Sequence, residues 1–181
     1  MKPLHKGYLV VRAFLNEHPE TRVIWFTLTR RNVARSALLS GLEEMDRAFE
    51  VLMRVGWRAI SLGWLRVAEV NFPAPDGTHP HFHCVVIVRD TYVKKYRGQW
   101  VDVRDLSMMW GTCLGVDYLP IADMRMIKGG DAGVRRVFEY LAKPVPEELQ
   151  RFQVSKFGGG LAEMESRLIE QAQDEVQYAR R

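Results

Sequence analysis

The segment from His79 to Val88 constrains the fold of this chain most, because three histidines at alternate positions lead into an uninterrupted apolar run. Alternation is the period of a β-strand, where successive side chains point to opposite faces. His79, His81 and His83 therefore share one face. The run Val85–Val88 is apolar on both faces, which predicts a central strand covered on both sides.

A second strand, Leu62–Phe72, precedes the histidine strand and is joined to it by Pro73–Thr78, whose Pro-Asp-Gly sequence is typical of a tight turn. If this hairpin folds symmetrically, Glu69 lies opposite His81 and on the histidine face. A register shift of two residues would keep the carboxylate on that face. The sequence therefore predicts that Glu69 lies beside the histidines.

Two neutral imidazoles one strand step apart can bind a single divalent cation. Two imidazoles and one carboxylate with open coordination positions suit Mg²⁺ or Mn²⁺. Glu69, His81 and His83 are therefore candidate ligands for such a cation. Two alternatives stay open: histidines without a ligand, and a glutamate in an ordinary salt bridge with an arginine.

Composition limits the class of protein. A length of 181 residues favours one domain, and a hydrophobic content of 47% excludes a disordered chain. The only cysteines, Cys84 and Cys113, form neither a disulfide framework nor a zinc-site spacing, which fits a reducing, cytoplasmic location. No membrane span or signal peptide is visible, so no membrane partner is expected. The net charge of +4 mildly favours a polyanionic partner.

The periodicity of apolar residues predicts the remaining elements. The predicted segments are helix 4–17, strand 22–29, a helix from about Ser36 or Ser40 to 55, the hairpin, a helix from Asp102 to Gly115, strand 118–127, helix 131–143, a glycine hinge at 158–160 and a last helix after it. This order predicts an α+β fold with a central, mainly antiparallel sheet of about four to five strands and helices packed on it.

Basic residues flank the predicted sheet in two places. Arg30 and Arg31 follow strand 22–29, where they could hold phosphates. Lys94 and Lys95 lie in a tyrosine-rich loop, and a mixture of basic and aromatic residues suits single-stranded nucleic acid. In both places, solvated loops remain the alternative.

One tyrosine lies away from the apolar stripe of its helix. In helix 131–143, Tyr140 is off the centre of the stripe, with Arg136 at i−4 and Lys143 at i+3. A phenol has a pKa of about 10 and is therefore a weak nucleophile at neutral pH. Nearby cations favour its ionised form. Taken alone, Tyr140 is an ordinary surface residue; together with a metal-binding hairpin it becomes a candidate nucleophile.

Four motifs together resemble the rolling-circle plasmid replication initiators, which belong to the HUH endonucleases. The motifs are Trp25–Thr29, the Glu69 strand, Gly77–His83 and Tyr140–Pro144. In this family two histidines flank one hydrophobic residue. The resemblance covers residues 22–145 and implies an HUH-endonuclease, RRM-like core. It suggests a nicking and joining catalytic domain over 1–145 and a C-terminal helical extension over 146–181.

The resemblance also implies roles for individual residues. It implies a divalent metal, Mg²⁺ or Mn²⁺, with three ligands: His81, His83 and Glu69. Tyr140 is implied as the nucleophile and Lys143 as its basic helper, while His79 lies outside the ligand pair in a supporting position. The implied reaction nicks single-stranded DNA at an origin through a 5′-phosphotyrosine bond and leaves a 3′-hydroxyl that primes synthesis.

One position departs from the family pattern. In the single-tyrosine branch a glutamate commonly stands four residues before the tyrosine and helps to terminate replication, whereas this chain has Arg136. Glu139 is nearby, but one residue along a helix turns a side chain by about 100°. Arg136 is therefore predicted to bind DNA phosphate instead.

The implied partners are single-stranded origin DNA, including origins that fold into hairpins, and a host helicase and polymerase. Two other interpretations stay open. A related HUH transposase or mobilisation relaxase would share the site but recognise a different DNA end. A non-catalytic metal-binding or nucleic-acid-binding module would keep the sheet without needing Tyr140, so a covalent DNA adduct formed with Mn²⁺ would discriminate.

Overall fold

The structure is a computed structural model that describes residues 3–74, 77–93, 101–142 and 155–178. The helices in these ranges are α1 Pro3–Glu17, α2 Leu38–Val51, α3 Asp90–Val93, α4 Val103–Leu114, α5 Gly130–Leu141 and α6 Gly160–Tyr178. The strands are β1 Thr21–Thr29, β2 Val33–Ala34, β3 Ser61–Ala74, β4 Gly77–Arg89, β5 Ala122–Met126 and β6 Ser155–Gly159. Lys94, Lys95 and Lys143, which carry predicted roles, lie outside the described residues.

The sheet is antiparallel and has the strand order β5-β1-β4-β3-β6, with the short β2 pairing with the beginning of β4. The predicted α+β class is thereby confirmed. The sheet has six strands because two short ones, β2 and β6, add to the predicted set. Two of the three glycines that were predicted to form a hinge, Gly158 and Gly159, lie in β6 instead and pair with Trp64 and Gly63.

The β3–β4 hairpin has the register that its symmetry predicts. Leu65 pairs with Val85, and Glu69 pairs with His81. The pairing becomes irregular between Asn71 and Ala74, close to the turn. Because residues two apart on a strand share a face, this register fixes Glu69 and both histidines on the same side of the sheet.

Helices cover both faces of the sheet. Even-numbered residues of β1 and β4, such as Phe26 and Cys84, are buried in a core that also contains side chains of α2 and α4. Odd-numbered residues, such as Val23 and Val85, are buried against side chains of α1, α5 and α6. The Val85–Val88 run is buried throughout, as predicted for a strand covered on both sides. Helix α5, on the odd-numbered face, carries the candidate nucleophile Tyr140.

Close backbone contacts join β6 and α6 to the sheet. At Gly63 on β3, a Cβ atom would lie 2.7 Å from the backbone nitrogen of Leu161 and 3.2 Å from the carbonyl oxygen of Gly158. Both partners are backbone atoms, which cannot move away by changing a rotamer. The absence of a side chain at Gly63 therefore allows the C-terminal segment to pack here.

Gly63→Ala is expected to destabilise the protein by about 1–3 kcal/mol, the usual cost of overpacking. The matched control is Gly41→Ala in α2, where the nearest atoms to a Cβ are 3.6 Å away. Alanine should stabilise that helix by up to about 1 kcal/mol. Urea unfolding measures both free energies. Equal stability of the two variants would contradict the close packing at Gly63.

Candidate metal centre and active site

Strands β3 and β4 bring together two imidazoles and one carboxylate near the turn end of the hairpin. Nε2 of His83 lies 2.7 Å from Oε2 of Glu69, and Nε2 of His81 lies 3.3 Å from the same oxygen. One ligand atom from each of the three residues lies within 4.8 Å of the other two. Within the described ranges, this is the only group of three or more His, Cys, Asp or Glu residues arranged in this way.

The other ring nitrogens of the two histidines have their own partners. Nδ1 of His81 lies 3.3 Å from the carbonyl oxygen of His79, and Nδ1 of His83 lies 3.1 Å from Oγ1 of Thr27. When a cation is bound at Nε2, an Nδ1–H group can donate to these oxygens and hold each ring with Nε2 toward the cation. Both histidines are buried, so their orientation is also restricted by packing.

The carboxylate of Glu69 is kept ionised by its surroundings. Hydrogen bonds from His81 and His83 lower the pKa of Glu69 well below its ordinary value, and they outweigh the opposing effect of burial. An ionised carboxylate beside two imidazoles is a donor set that suits Mn²⁺ or Mg²⁺. The arrangement of these three side chains therefore fits a divalent cation.

Thr27 is a supporting residue that the sequence alone did not identify. It lies directly opposite His83 in the β1–β4 pairing, so its hydroxyl reaches Nδ1 of that ring. Without the Thr27 hydroxyl, an Nδ1–H group of His83 would lose its hydrogen-bond acceptor, and the ring would lose the contact that keeps Nε2 directed toward Glu69.

Thr27→Val is expected to weaken Mn²⁺ binding by about 10- to 100-fold, the usual effect of losing a residue that orients a ligand. Valine keeps the branched shape that suits a strand. Isothermal titration calorimetry with Mn²⁺ measures the affinity. The control is Thr112→Val in α4, whose exposed hydroxyl donates to the Met108 carbonyl oxygen. Unchanged affinity in Thr27→Val would show that packing alone orients His83.

Tyr140 lies next to this group, although 57 positions separate it from His83 in sequence. The rings of Tyr140 and His83 meet edge to face with centroids 5.7 Å apart. Trp25 stacks on His83 at 4.9 Å and meets Tyr140 edge to face at 6.1 Å. Tyr140 is 47% exposed. Its position on the edge of the apolar stripe of α5 thus places the phenol in contact with solvent and beside the three candidate ligands. We name these ligands, Glu69, His81 and His83, the metal group.

An open cavity of about 490 Å³ lies between β1, β5 and α5. Its lining combines His83 and Tyr140 with the basic residues Arg125, Lys128 and Arg136. Arg125 pairs with Asp123 at 2.7 Å, whereas no described carboxylate lies within 4.0 Å of Lys128 or Arg136. The cavity therefore offers positive charge next to the phenol and the metal group, which suits a phosphate.

The remaining predicted residues lie in different surroundings. Arg30 is held by α2, where its guanidinium pairs with Glu44 and donates to the carbonyl oxygen of Gly41 at 3.3 Å. Arg31 is exposed and stacks over Tyr118.

His79 lies apart from the three candidate ligands. Its Nδ1 lies 2.8 Å from Oδ1 of Asn32, and burial lowers the pKa of its imidazole. Its side chain therefore bonds to the loop after β1, whereas its carbonyl oxygen orients His81.

Sequence reasoning assigned no role to Trp25 or to Lys128. The alternation along β1 could have placed Trp25 and Thr27 on one face of that strand. The pairing of β1 with β4 brings this face next to His81 and His83, and no local pattern specifies that pairing. Lys128 reaches the cavity because it lies between β5 and α5.

No helix in the described part of the chain is long and apolar enough to span a membrane.

Comparisons with known proteins identify the family of this chain. The model of the Rep_1 family, described as replication protein, matches residues 2–174. A relative named Protein rep, from Streptococcus pneumoniae serotype 2 (strain D39 / NCTC 7466), is 28% identical over 160 residues, which are 85% of this chain and 50% of that protein. A Protein rep from a Bacillus species is 33% identical over 108 residues, covering 59% of this chain and 34% of its own.

A third relative, the Protein rep of Bacillus amyloliquefaciens, is 32% identical over 108 residues, 59% of this chain and 31% of its own length. The chain thus spans about half, or less, of the length of these curated relatives. No solved structure matches it significantly. The family match covers most of the sequence and confirms the resemblance to rolling-circle plasmid replication initiators: the chain belongs to the Rep_1 family of replication proteins.

Proposed function

We propose that this chain nicks and rejoins single-stranded DNA at a rolling-circle origin, with Tyr140 as the nucleophile. One observation carries the proposal. The exposed phenol of α5 and His83, one of the three candidate ligands, border the same basic cavity, with the rings of Tyr140 and His83 5.7 Å apart. An ordinary surface tyrosine has no need of such a neighbour. The proposed catalytic domain is residues 1–145, and residues 146–181 are its C-terminal extension.

In this proposal Glu69, His81 and His83 hold Mg²⁺ or Mn²⁺, which supplies Lewis-acid polarisation of the scissile phosphate when bound. The phenolic oxygen of Tyr140 bonds to phosphorus, and the bond from phosphorus to the 3′-oxygen breaks. The phenol loses a proton and the departing 3′-oxygen gains one, so no net proton is consumed. The products are a 5′-phosphotyrosine bond and a free 3′-hydroxyl, and attack by a 3′-hydroxyl reverses the step.

Basic residues would bind the strand around this centre. Arg136 borders the cavity beside Tyr140 and is suited to hold the cleaved phosphate. Arg31 is exposed and able to bind the backbone, whereas Arg30 would first have to release Glu44. Two loop lysines, Lys94 and Lys95, are proposed as further DNA contacts.

Lys143 is proposed as the cation that assists Tyr140. It follows the tyrosine by three residues in the Tyr140–Pro144 motif that carries the family resemblance, and it lies outside the described residues. A cation beside the phenol would stabilise the developing phenolate.

The experiment that tests the proposal is a cleavage screen against pooled single-stranded oligonucleotides, with Mn²⁺ and with a chelator. We expect a covalent protein–DNA adduct with Mn²⁺ only. Sequencing the DNA that remains on the protein identifies the origin strand. Failure of the folded, metal-loaded protein to form an adduct with any oligonucleotide in the pool would refute the nicking function. Pools that include hairpin-forming strands cover both forms of origin.

Arg136→Glu is expected to shorten the lifetime of the adduct in the absence of an acceptor strand. Hydrolysis of a phosphotyrosine bond needs a base near the attacking water, and a guanidinium cannot act as one because it stays protonated. A carboxylate one helical turn before Tyr140 can. The wild-type adduct should therefore be long-lived until an incoming 3′-hydroxyl resolves it.

The adduct lifetime is measured with and without an acceptor oligonucleotide. Arg136→Gln is the control because it removes the positive charge without adding a base. If Arg136→Gln hydrolyses as fast as Arg136→Glu, loss of the cation rather than gain of a base explains the change. Rapid hydrolysis by the wild type would show that another base, such as the exposed Glu139, already serves.

A further inference from the structure

Two large apolar side chains are exposed at one edge of the metal-bearing face. Leu119 is 60% exposed and Ile121 is 72% exposed, and both lie within the three residues that precede β5. Exposed apolar groups of this size that adjoin one another often mark a binding surface. Neither side chain belongs to the two buried cores of the described residues.

This edge adjoins the metal group through one strand. Thr29 pairs with His81, and its backbone N–H and its hydroxyl both donate to the carbonyl oxygen of Ile121, at 3.1 and 2.8 Å. Neighbouring strands are spaced by about 4.8 Å, so the backbone of Ile121 lies about 10 Å from that of His81. A nucleotide strand bound at the metal group can therefore reach Ile121 within a few nucleotides.

The backbone at this edge is held firmly. The buried indole of Trp110 in α4 donates to the carbonyl oxygen of Thr29 at 2.7 Å. Pro120 is buried against the same helix, where a Cβ atom on Gly111 would lie 2.9 Å from its Cδ. The segment is therefore anchored by Pro120, while Leu119 and Ile121 on either side of it stay exposed. A surface fixed in this way loses little conformational entropy on binding.

A stacked cation completes the surface. The guanidinium carbon of Arg31 lies 3.9 Å from the ring centroid of Tyr118, and the Arg31 backbone N–H donates to the Tyr118 hydroxyl at 2.9 Å. Arg31 is exposed. Planar guanidinium groups, aromatic rings and exposed apolar side chains are the partners on which unpaired bases stack. We name the four residues Arg31, Tyr118, Leu119 and Ile121 the stacking patch.

We infer that the stacking patch binds unpaired bases of the DNA strand that is cleaved at Tyr140, next to the scissile phosphate. The inference rests on the proposed function and adds base stacking to it. Charge favours DNA over a second copy of this chain, because two chains of net charge +4 repel each other. The patch would prefer single strands to duplex, in which the base faces are already stacked.

The test measures binding of labelled oligodeoxythymidine of about 16 nucleotides, the upper end of a single-strand site, by fluorescence anisotropy. The Tyr140→Phe protein is used, so that no covalent bond forms. The stacking variant, Arg31→Lys plus Ile121→Ser, keeps the charge but removes the planar guanidinium and one of the two exposed apolar side chains. We expect its affinity to fall by about five- to a hundred-fold, as for loss of base stacking. The dependence of binding on salt should stay the same, because no positive charge is lost.

Two controls make the test specific. Val55→Ser removes another exposed apolar side chain, which is 73% exposed. It lies in the segment after α2, whose Leu52 and Met53 pack into the core on the opposite face of the sheet, so this variant should bind like the parent. An oligonucleotide with central abasic sites keeps its phosphates but not its bases. The stacking variant should lose little affinity for this strand. Equal losses for the intact and abasic strands would overturn the inference.

Other outcomes separate the patch from the nicking function. Concentration-dependent dimers that disappear in Ile121→Ser, seen by analytical ultracentrifugation, would assign the patch to self-association and overturn the inference. A wild-type protein that forms adducts, combined with a stacking variant that binds normally, refutes the patch alone. Base-dependent binding through the patch without any adduct in the wild type refutes the nicking alone.

Discussion

Tyr140→Phe protein is expected to form no covalent adduct with DNA while folding and binding metal as the wild type does. The substitution removes one oxygen atom and leaves the ring. Edge-to-face contacts with His83 and Trp25 involve the ring and persist. Since only the oxygen can bond to phosphorus, adduct formation should be lost completely rather than slowed.

Denaturing gels with a labelled oligonucleotide measure the adduct, and titration with Mn²⁺ shows whether the metal group is intact. In the wild type, tryptic mass spectrometry should locate the nucleotide on the peptide that contains Tyr140. A nucleotide on Tyr118 would instead assign the nucleophile to the segment before β5. Adduct formation by a folded Tyr140→Phe protein would require a different nucleophile altogether.

The hairpin that carries the metal group could be predicted from sequence because two local rules agree. Alternation places His81 and His83 on one face, and the turn sequence sets a symmetrical register that brings Glu69 opposite His81. Strand β6 could not be predicted in this way. It is short, ends in glycines, and pairs with β3, about 90 residues earlier in the chain, so its position depends on tertiary contacts.

The candidate site likewise combines residues that a local pattern predicts with residues that only the assembled sheet brings together. The histidine cluster is visible as a local pattern, whereas the role of Tyr140 followed from the resemblance to a family. Thr27 and Trp25 support His83 from a strand whose partner is set only when the sheet assembles. For Arg30, local reasoning from a basic residue after a strand suggests a phosphate ligand, and its pairing with Glu44 of α2 becomes visible only in the folded structure.

Replacing both His81 and His83 with alanine is expected to abolish metal binding and DNA cleavage together. The imidazoles supply two of the three candidate ligands, and the remaining carboxylate of Glu69 is half-buried without a cation or a hydrogen-bond donor from either ring. A single carboxylate binds Mn²⁺ weakly, since affinity depends on the number and placement of the ligands. The hydrogen bonds that lower the pKa of Glu69 are lost as well, so its pKa should rise toward the ordinary value.

The measurements are calorimetric titration with Mn²⁺ and the adduct assay on the same preparations, with circular dichroism to confirm folding. His79→Ala is the matched control. Its imidazole bonds to Asn32 outside the ligand group, and the carbonyl oxygen that orients His81 belongs to the backbone and stays. This variant should therefore keep its metal affinity. A folded double variant that cleaves DNA without added metal would remove the metal centre from the mechanism and leave Tyr140 to act with the basic residues of the cavity alone.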